Sequence, residues 1–361
     1  MSAGLRVLLG RAAGALVFPL VAIALALVVG AVIVLATGNN PLAAYRALIV
    51  GAVGSPAAIG RTLLNATPLI FTGLAVAVAF RAGLFNIGGE GQLYIGAITA
   101  AILGVSLGFL GPLAIPVVLF ACFLTGFLWG AIPGLLKARF GAHEVITTIM
   151  LNFVAINLAT YLALKPFRTE GLVPGTDFIE PAARIPALGL GRANYGLLIA
   201  LLAAVAVYLL LWRTTLGFRL RAVGLSPGAA NYAGMSIGTS TVLALAIGGA
   251  MAGLGGGVEV MGVYGKMSIP FVSNLGFNGI GVALLGRNHP AGVVLGALLF
   301  GGLASGAQEL QFETDVPLDL ADVLLAIILL LVTATRLVEL IFGKRVREMA
   351  SGTRLDEGLA S

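Results

Sequence analysis

The chain has 361 residues, 59% of them hydrophobic and 10% charged, with a mean hydropathy of +1.06. Soluble domains carry roughly 25% charged residues, so this composition excludes a water-soluble fold and makes a lipid bilayer the solvent. One cysteine, Cys122, excludes a disulfide framework and a cysteine metal site, and the +6 formal charge calls for no nucleic-acid partner once topology is considered.

Charge-free windows run over 12–45, 62–80, 91–136, 145–164, 193–212, 222–258 and 267–286. A helix needs about 20 apolar residues to cross the hydrocarbon core, so most windows hold one span and the longest hold two. With 290–306 and 320–341 added, the fold class is an all-α polytopic membrane protein of about ten spans. The first run, Ala12 to Thr37, is longer than a signal core and lacks a cleavage pattern, so it is expected to remain as a span.

The stretch 38–61 reads as an outer connection carrying a short helix. The next span, from 62, is followed by "RAGLFNIGGEGQLYIGA", residues 81–97. Gly83, Gly88, Gly89, Gly91 and Gly96 make an unbroken helix unfavourable there, since each interior glycine costs roughly 1 kcal/mol against alanine. Broken backbone at membrane depth is tolerated only where protein buries it or a wet cavity bounds it. Glu90 is an ionisable group inside an apolar segment, and such groups are expensive and functional by default. It stands nine residues after Arg81, which makes that arginine a candidate partner at the membrane interface. Asn86 and Gln92 offer neutral donors and acceptors suited to an uncharged polar solute such as a nucleoside or sugar.

Cys122 lies in "LFACFLTGF" and reads as a small packing residue. His143 and His289 fall in short connections without partners at metal-ligand spacing, so no metal site is expected. A Pro-rich outer connection covers 165–194, and an inner one covers 213–239. In the inner one, Ser226 is placed to cap a short helix and Pro227 to begin it, with the helix running to about Met235. Arg219, Arg221, Ala229 and Ala230 suit docking into a groove on a cytoplasmic protein.

"GFNGIG" at 276–281 echoes "GLFNIG" at 83–88. Phe85 and Asn86 in one half answer Phe277 and Asn278 in the other, each at the start of a span, one inner and one outer. That is the pattern of an inverted repeat, whose glycine-interrupted segments point to a transport pathway. Arg81, Lys137, Arg139, Arg213, Arg219, Arg221 and Arg287 fall on one side with both termini, and the positive-inside rule makes that side cytoplasmic. Glu309, Glu313, Asp315, Asp319 and Asp322 gather on the other. "VMGVYGKMS" lacks the glycine and hydroxyl of a Walker A loop, so the chain is not expected to hydrolyse ATP.

The stretches "AVAFRAGLFNIGGEGQLYIGA", "LRAVGLSPGAANYAGMSIG" and "GFNGIGVALLGRNHPAG" resemble the permease subunits of ATP-binding-cassette importers for nucleosides, within the group serving branched-chain amino acids and simple sugars. The resemblance covers roughly 40–340. It implies one transmembrane permease domain over 1–342, with halves near 56–164 and 237–341, and a cytoplasmic tail over 343–361. It implies a transport subunit rather than an enzyme, without a cofactor of its own, in the bacterial inner membrane. The implied partners are two ATPase subunits, a second permease, and an outer substrate-binding lipoprotein or periplasmic protein. The 213–239 loop would be the ATPase-coupling helix, its Ala229, Ala230 and Gly234 matching the importer signature while Gly228 stands where that signature has glutamate. Sugar permeases of the group carry an aspartate motif where this chain has "NIGGEGQ", which favours a nucleoside over ribose or galactose. A stand-alone secondary carrier is the competing class.

Overall fold

The computed structural model describes residues 38–170, 173–271 and 274–313, together with 25, 27–36, 322–323 and 326–327. Among the described residues the secondary structure is helical apart from two isolated β-bridges, Gly175 with Ser268 and Ala187 with Asn194. Most of the expected span over 320–341, most of the first span, both termini and the 343–361 tail lie outside the described residues. Glu309 and Glu313 fall on the last described helix, whereas Asp315 and Asp319 lie outside.

The helices are α1 (Leu27–Ala36), α2 (Pro41–Val53), α3 (Pro56–Arg81), α4 (Gly89–Ser106), α5 (Ala114–Phe140), α6 (Glu144–Leu164), α7 (Gly196–Arg213), α8 (Thr215–Leu225), α9 (Pro227–Tyr232), α10 (Ile237–Glu259), α11 (Leu275–Leu285) and α12 (Pro290–Glu313). Among the described residues six apolar helices are long enough to cross a membrane: α3, α5, α6, α7, α12, and α10 with the π-turn that continues it to Tyr264. The window 267–286, read from sequence as a span, holds only the 11 residues of α11, about 16 Å of helix against a core about 30 Å thick. Pro270 and the left-handed Asn274, at φ 69°, keep the preceding backbone out of the helix.

The chain divides into two compact units, residues 1–51 with 306–361, and residues 52–305. In the first, Val34, Ala44, Ala47, Leu48 and Leu310 form a small apolar core. α2 is the short helix expected in the first outer connection.

In the second unit α3 and α10 are the inner pillars, with 78% of their most apolar windows buried, against 22% for α5 and α6. Phe120, Leu124, Leu128, Ile146 and Phe153 on α5 and α6 are exposed, as side chains facing lipid should be. Helices in lipid gain nothing from hiding apolar surface from water, so close approach must come from small residues. Gly126, Gly130 and Gly134 on α5 recur every fourth residue and meet Gly253, Gly249 and Val242 on α10. A Cβ at Gly126 would stand 2.9 Å from the Gly253 Cα, and one at Gly134 2.7 Å from the Val242 Cα. Cys122 continues this stripe, fully buried, with its thiol 3.3 Å from the Gly96 carbonyl. Gly126→Leu is expected to lower the melting temperature of the detergent-solubilised protein and to cost about 1–3 kcal/mol through overpacking. Leu128→Ala, on the lipid face of the same helix, is the control that should leave the melt close to the wild type.

Contacts at the helix ends fix the topology of this unit. Arg81 at the end of α3 reaches the turn after α11, and Gly134 near the end of α5 meets the start of α10. Arg81, Lys137, Arg221 and Arg287, assigned from sequence to one side, thus share one end of the bundle. At the opposite end the 173–195 connection is stitched down by backbone bonds from Thr176 to Met267, Ile179 to Gly265, Glu180 to Gly104 and Ile185 to Met261.

Candidate functional site

The two glycine-broken segments meet. The chain leaves α3 at Arg81, runs without helix through 84–87, and re-enters helix at Gly89; the second segment re-enters at Leu275. α4 then runs toward the end carrying Gly104 and Glu180, and α11 toward the end carrying Arg81, so the two start back to back and diverge. The starts touch at glycine: a Cβ on Gly276 would lie 2.1 Å from the Glu90 backbone nitrogen. Only a residue without a side chain at Gly276 lets the two helix N-termini approach this closely.

Glu90 joins them. Its carboxylate accepts hydrogen bonds from the backbone N–H of Asn274 at 2.9 Å and of Gly276 at 2.6 Å, and the residue is 2% exposed. Helix N-termini carry unpaired N–H groups and partial positive charge. Glu90 lies in the first turn of α4 and against the first turn of α11, so one carboxylate serves both positive ends. The suggested pairing of Glu90 with Arg81 is therefore corrected: the carboxylate is taken by α11, because two aligned N–H donors lie within reach where the guanidinium does not.

Arg81 grips the other end of the same short helix. Its Nε donates to the Asn288 carbonyl at 2.9 Å and a terminal nitrogen to the Arg287 carbonyl at 3.1 Å, just past the C-cap Gly286. Arg287 and Asn288 both stand at φ 53°, a left-handed conformation that costs a non-glycine residue of order 1 kcal/mol or more and survives only when the surroundings impose it. α11 is thus bracketed by a carboxylate at its N-terminus and a cation at its C-terminus, the arrangement its dipole favours. Thr72 adds a hydrogen bond from its hydroxyl to the Leu275 carbonyl at 3.0 Å.

Asn86 and Gln92 are 1% exposed each and pair their amides reciprocally at 3.0 and 3.2 Å, while Asn86 also accepts from the Gly88 N–H. Asn152 on α6 accepts from the Gly91 N–H at 2.8 Å and donates to the Ile87 carbonyl at 2.9 Å. These three amides replace the helical bonds that the break removes. Phe85 and Phe277 are half-exposed, and Phe85 makes an edge contact with Phe80 at 4.7 Å. Asn278 lies within α11 with its side chain partly exposed.

The inner loop folds as two helices. Ser226 caps α9 by accepting from the Ala229 N–H at 3.4 Å, and Pro227 takes the first position, as the sequence indicates. α9 stops at Tyr232 rather than near Met235, because Gly234 turns the chain at φ 78°. Ala229, Arg219 and Tyr232 are exposed, the last 99%, whereas Ala230 is buried. Arg221 is turned inward: its Nε donates to the Leu211 carbonyl at 2.9 Å, and its guanidinium lies 5.7 Å from the Trp212 ring. Arg81 lies 5.1 Å from the same ring, and His289 packs on it at 4.9 Å. Burial and the nearby Arg81 charge hold the His289 imidazole below its ordinary range, so it is neutral at pH 7. Trp212 thereby links the inner loop to the residue that holds α11.

Sequence reasoning missed Asn152, Trp212 and Thr72. Asn152 carried a usable signal, an amide in the middle of a charge-free window, while the ring of Trp212 gives no hint in sequence that two arginines converge on it. Among the described residues no group of three His, Cys, Asp or Glu side chains could hold a metal ion.

The family model "Branched-chain amino acid transport system / permease component" matches residues 58–333. The chain is 40% identical to the guanosine ABC transporter permease protein NupP of Bacillus subtilis, over 93% of this chain and 98% of that protein. It is 36% identical to the nucleoside ABC transporter permease protein NupB of Lactococcus lactis, over 94% and 96%. It is also 35% identical to a glucose ABC transporter permease of Haloferax volcanii, over 86% and 85%. No solved structure matches.

Proposed function

The chain belongs to the branched-chain amino acid transport system / permease component family, a multi-pass membrane transport subunit and not an enzyme, and from that premise we propose that it carries nucleosides inward, driven by a partner ATPase docked on α8 and α9. The cargo rests on the likeness to the guanosine and nucleoside permeases along nearly the whole chain. The mechanism rests on one observation, the short helix α11 held between Glu90 and Arg81.

Between them these contacts connect energy input to the pathway. A force on the exposed α9 passes through α8 to Arg221, across the Trp212 ring to Arg81, and so to the C-terminal end of α11. At the other end, the Glu90 bonds at the meeting of the two N-termini act as the clasp that sets whether α4 and α11 stay together. Phe85, Asn86, Glu90, Gln92, Phe277 and Asn278 belong to the pathway in two ways. The buried amides and the carboxylate shape it, and the half-exposed rings of Phe85 and Phe277 border it. Arg219, Ser226, Pro227, Ala229 and Gly234 form or shape the ATPase contact, while Ala230 and Arg221 anchor it from beneath. The complete importer contains ATPase subunits, a second permease and an outer substrate-binding protein.

Deletion of 226–235 is expected to abolish ATP-dependent guanosine uptake in membrane vesicles while the chain still inserts. Uptake that survives the deletion contradicts the docking assignment. A sugar cargo is the second reading, motivated by the glucose permease likeness. Competition of labelled guanosine uptake by excess glucose, ribose or galactose would favour it.

A further inference from the structure

One buried carboxylate has no part in the clasp. Glu259 is the last residue of α10 and is 5% exposed. Among the described residues it has neither a hydrogen-bond partner nor an ion-pair partner, whereas Asn86, Glu90, Gln92, Asn152, Thr176 and Asn194, equally buried, are each hydrogen-bonded. A buried ionisable group without a partner is costly in a membrane protein and marks a functional position by default.

The surroundings are built rather than loose. Directly after Glu259 the helix widens into a π-turn, Val260–Tyr264, closed by the Gly265 N–H on the Val260 carbonyl at 2.7 Å. The turn ends the helix at Gly265, left-handed at φ 69°, and π-turns of this kind are frequent at functional sites as well as at helix ends. Asn194 clamps this one, donating to the Gly262 carbonyl at 3.0 Å and accepting from the Gly196 N–H at 2.8 Å. Tyr264, at the end of the turn, is half-exposed. Its ring starts an edge-to-face row, 5.7 Å to Phe271 and 5.5 Å from there to Tyr94. Tyr94 stands one helical turn from Glu90, so the row leads from the half-exposed ring toward the clasp.

An ionised carboxylate accepts hydrogen bonds at both oxygens and an un-ionised carboxyl group accepts at one and donates from the other, so either form matches two adjacent hydroxyls on a ligand. A metal ion is a poor fit, since no second carboxylate or imidazole completes a ligand set among the described residues. Paired hydroxyls on a neutral, flat-ringed molecule would supply the hydrogen-bond partners that Glu259 lacks and an aromatic face for the half-exposed Tyr264. We propose that Glu259 binds the vicinal 2′- and 3′-hydroxyls of the transported nucleoside, with its base against Tyr264; this rests on the nucleoside reading above.

The test is uptake of labelled guanosine by membrane vesicles holding the complete importer, with unlabelled guanosine or 2′,3′-dideoxyguanosine as competitor. Wild-type importer should prefer guanosine about tenfold or more, the loss expected when two hydrogen bonds to a buried carboxyl group disappear. In Glu259→Ala the preference should fall to about twofold or less. A variant that keeps the full preference, or a wild type that accepts both equally, overturns the assignment, and the second result needs no variant to fold. A wild type with no guanosine uptake at all overturns the nucleoside reading, and this assignment with it.

Discussion

Replacing Glu90 by alanine is expected to reduce ATP-dependent nucleoside uptake at least tenfold while the importer still assembles. The carboxylate accepts from the Asn274 and Gly276 N–H groups at the junction of α4 and α11. Hydrogen bonds to a charged group contribute about 1.5–3 kcal/mol each, and each 1.4 kcal/mol is a factor of ten in an equilibrium. Loss of both bonds leaves the Gly276 N–H buried and unpaired beside the positive ends of two helices. Glu90→Gln keeps an acceptor of nearly the same shape but brings an amide donor toward those N–H groups, so its loss should be intermediate. The measurement is initial uptake rate in vesicles, alongside co-purification of the ATPase to establish assembly. Wild-type rates in both variants would reduce the cluster to packing.

Arg81→Ala should have the second largest effect, and of a different kind. Arg81 meets the Trp212 ring on one side and holds the Arg287 and Asn288 carbonyls on the other. Its removal frees two left-handed residues to relax and detaches the end of α11 from the inner loop. ATP hydrolysis by the assembled importer should therefore persist, while nucleoside moved per ATP falls several-fold. Trp212→Ala should give the same uncoupling in milder form, because the backbone bonds from Arg81 remain. Equal losses of hydrolysis and uptake in Arg81→Ala would mean that the residue supports assembly rather than transmission.

The membrane class was legible from composition alone, and most helices from the spacing of charges. The cap at Ser226, the packing role of Cys122 and the correspondence of the two glycine-broken segments were legible too, because each depends on local chemistry or a repeated pattern. The destination of Glu90 was not. A carboxylate in an apolar segment announces that something must satisfy it, and sequence proximity offered Arg81; the actual donors lie more than 180 residues away, on backbone atoms without sequence identity. The shortness of α11 was hidden for a similar reason: residues 267–286 have a span's hydrophobicity, and only the backbone at Pro270 and Asn274 shows where helix begins. Arg221 looked available for docking because charge in a loop suggests exposure, yet the Leu211 carbonyl and the Trp212 ring claim it.

The most direct test of the central claim is labelled guanosine uptake into inside-out-free vesicles of cells that carry this chain with its importer partners, compared with cells lacking the chain. The account predicts uptake that requires this chain and ATP, resists a protonophore while ATP is held constant, and yields to unlabelled nucleosides but not to excess glucose, ribose or galactose. Uptake that collapses with the protonophore at constant ATP, or that sugars displace as well as nucleosides do, would contradict it.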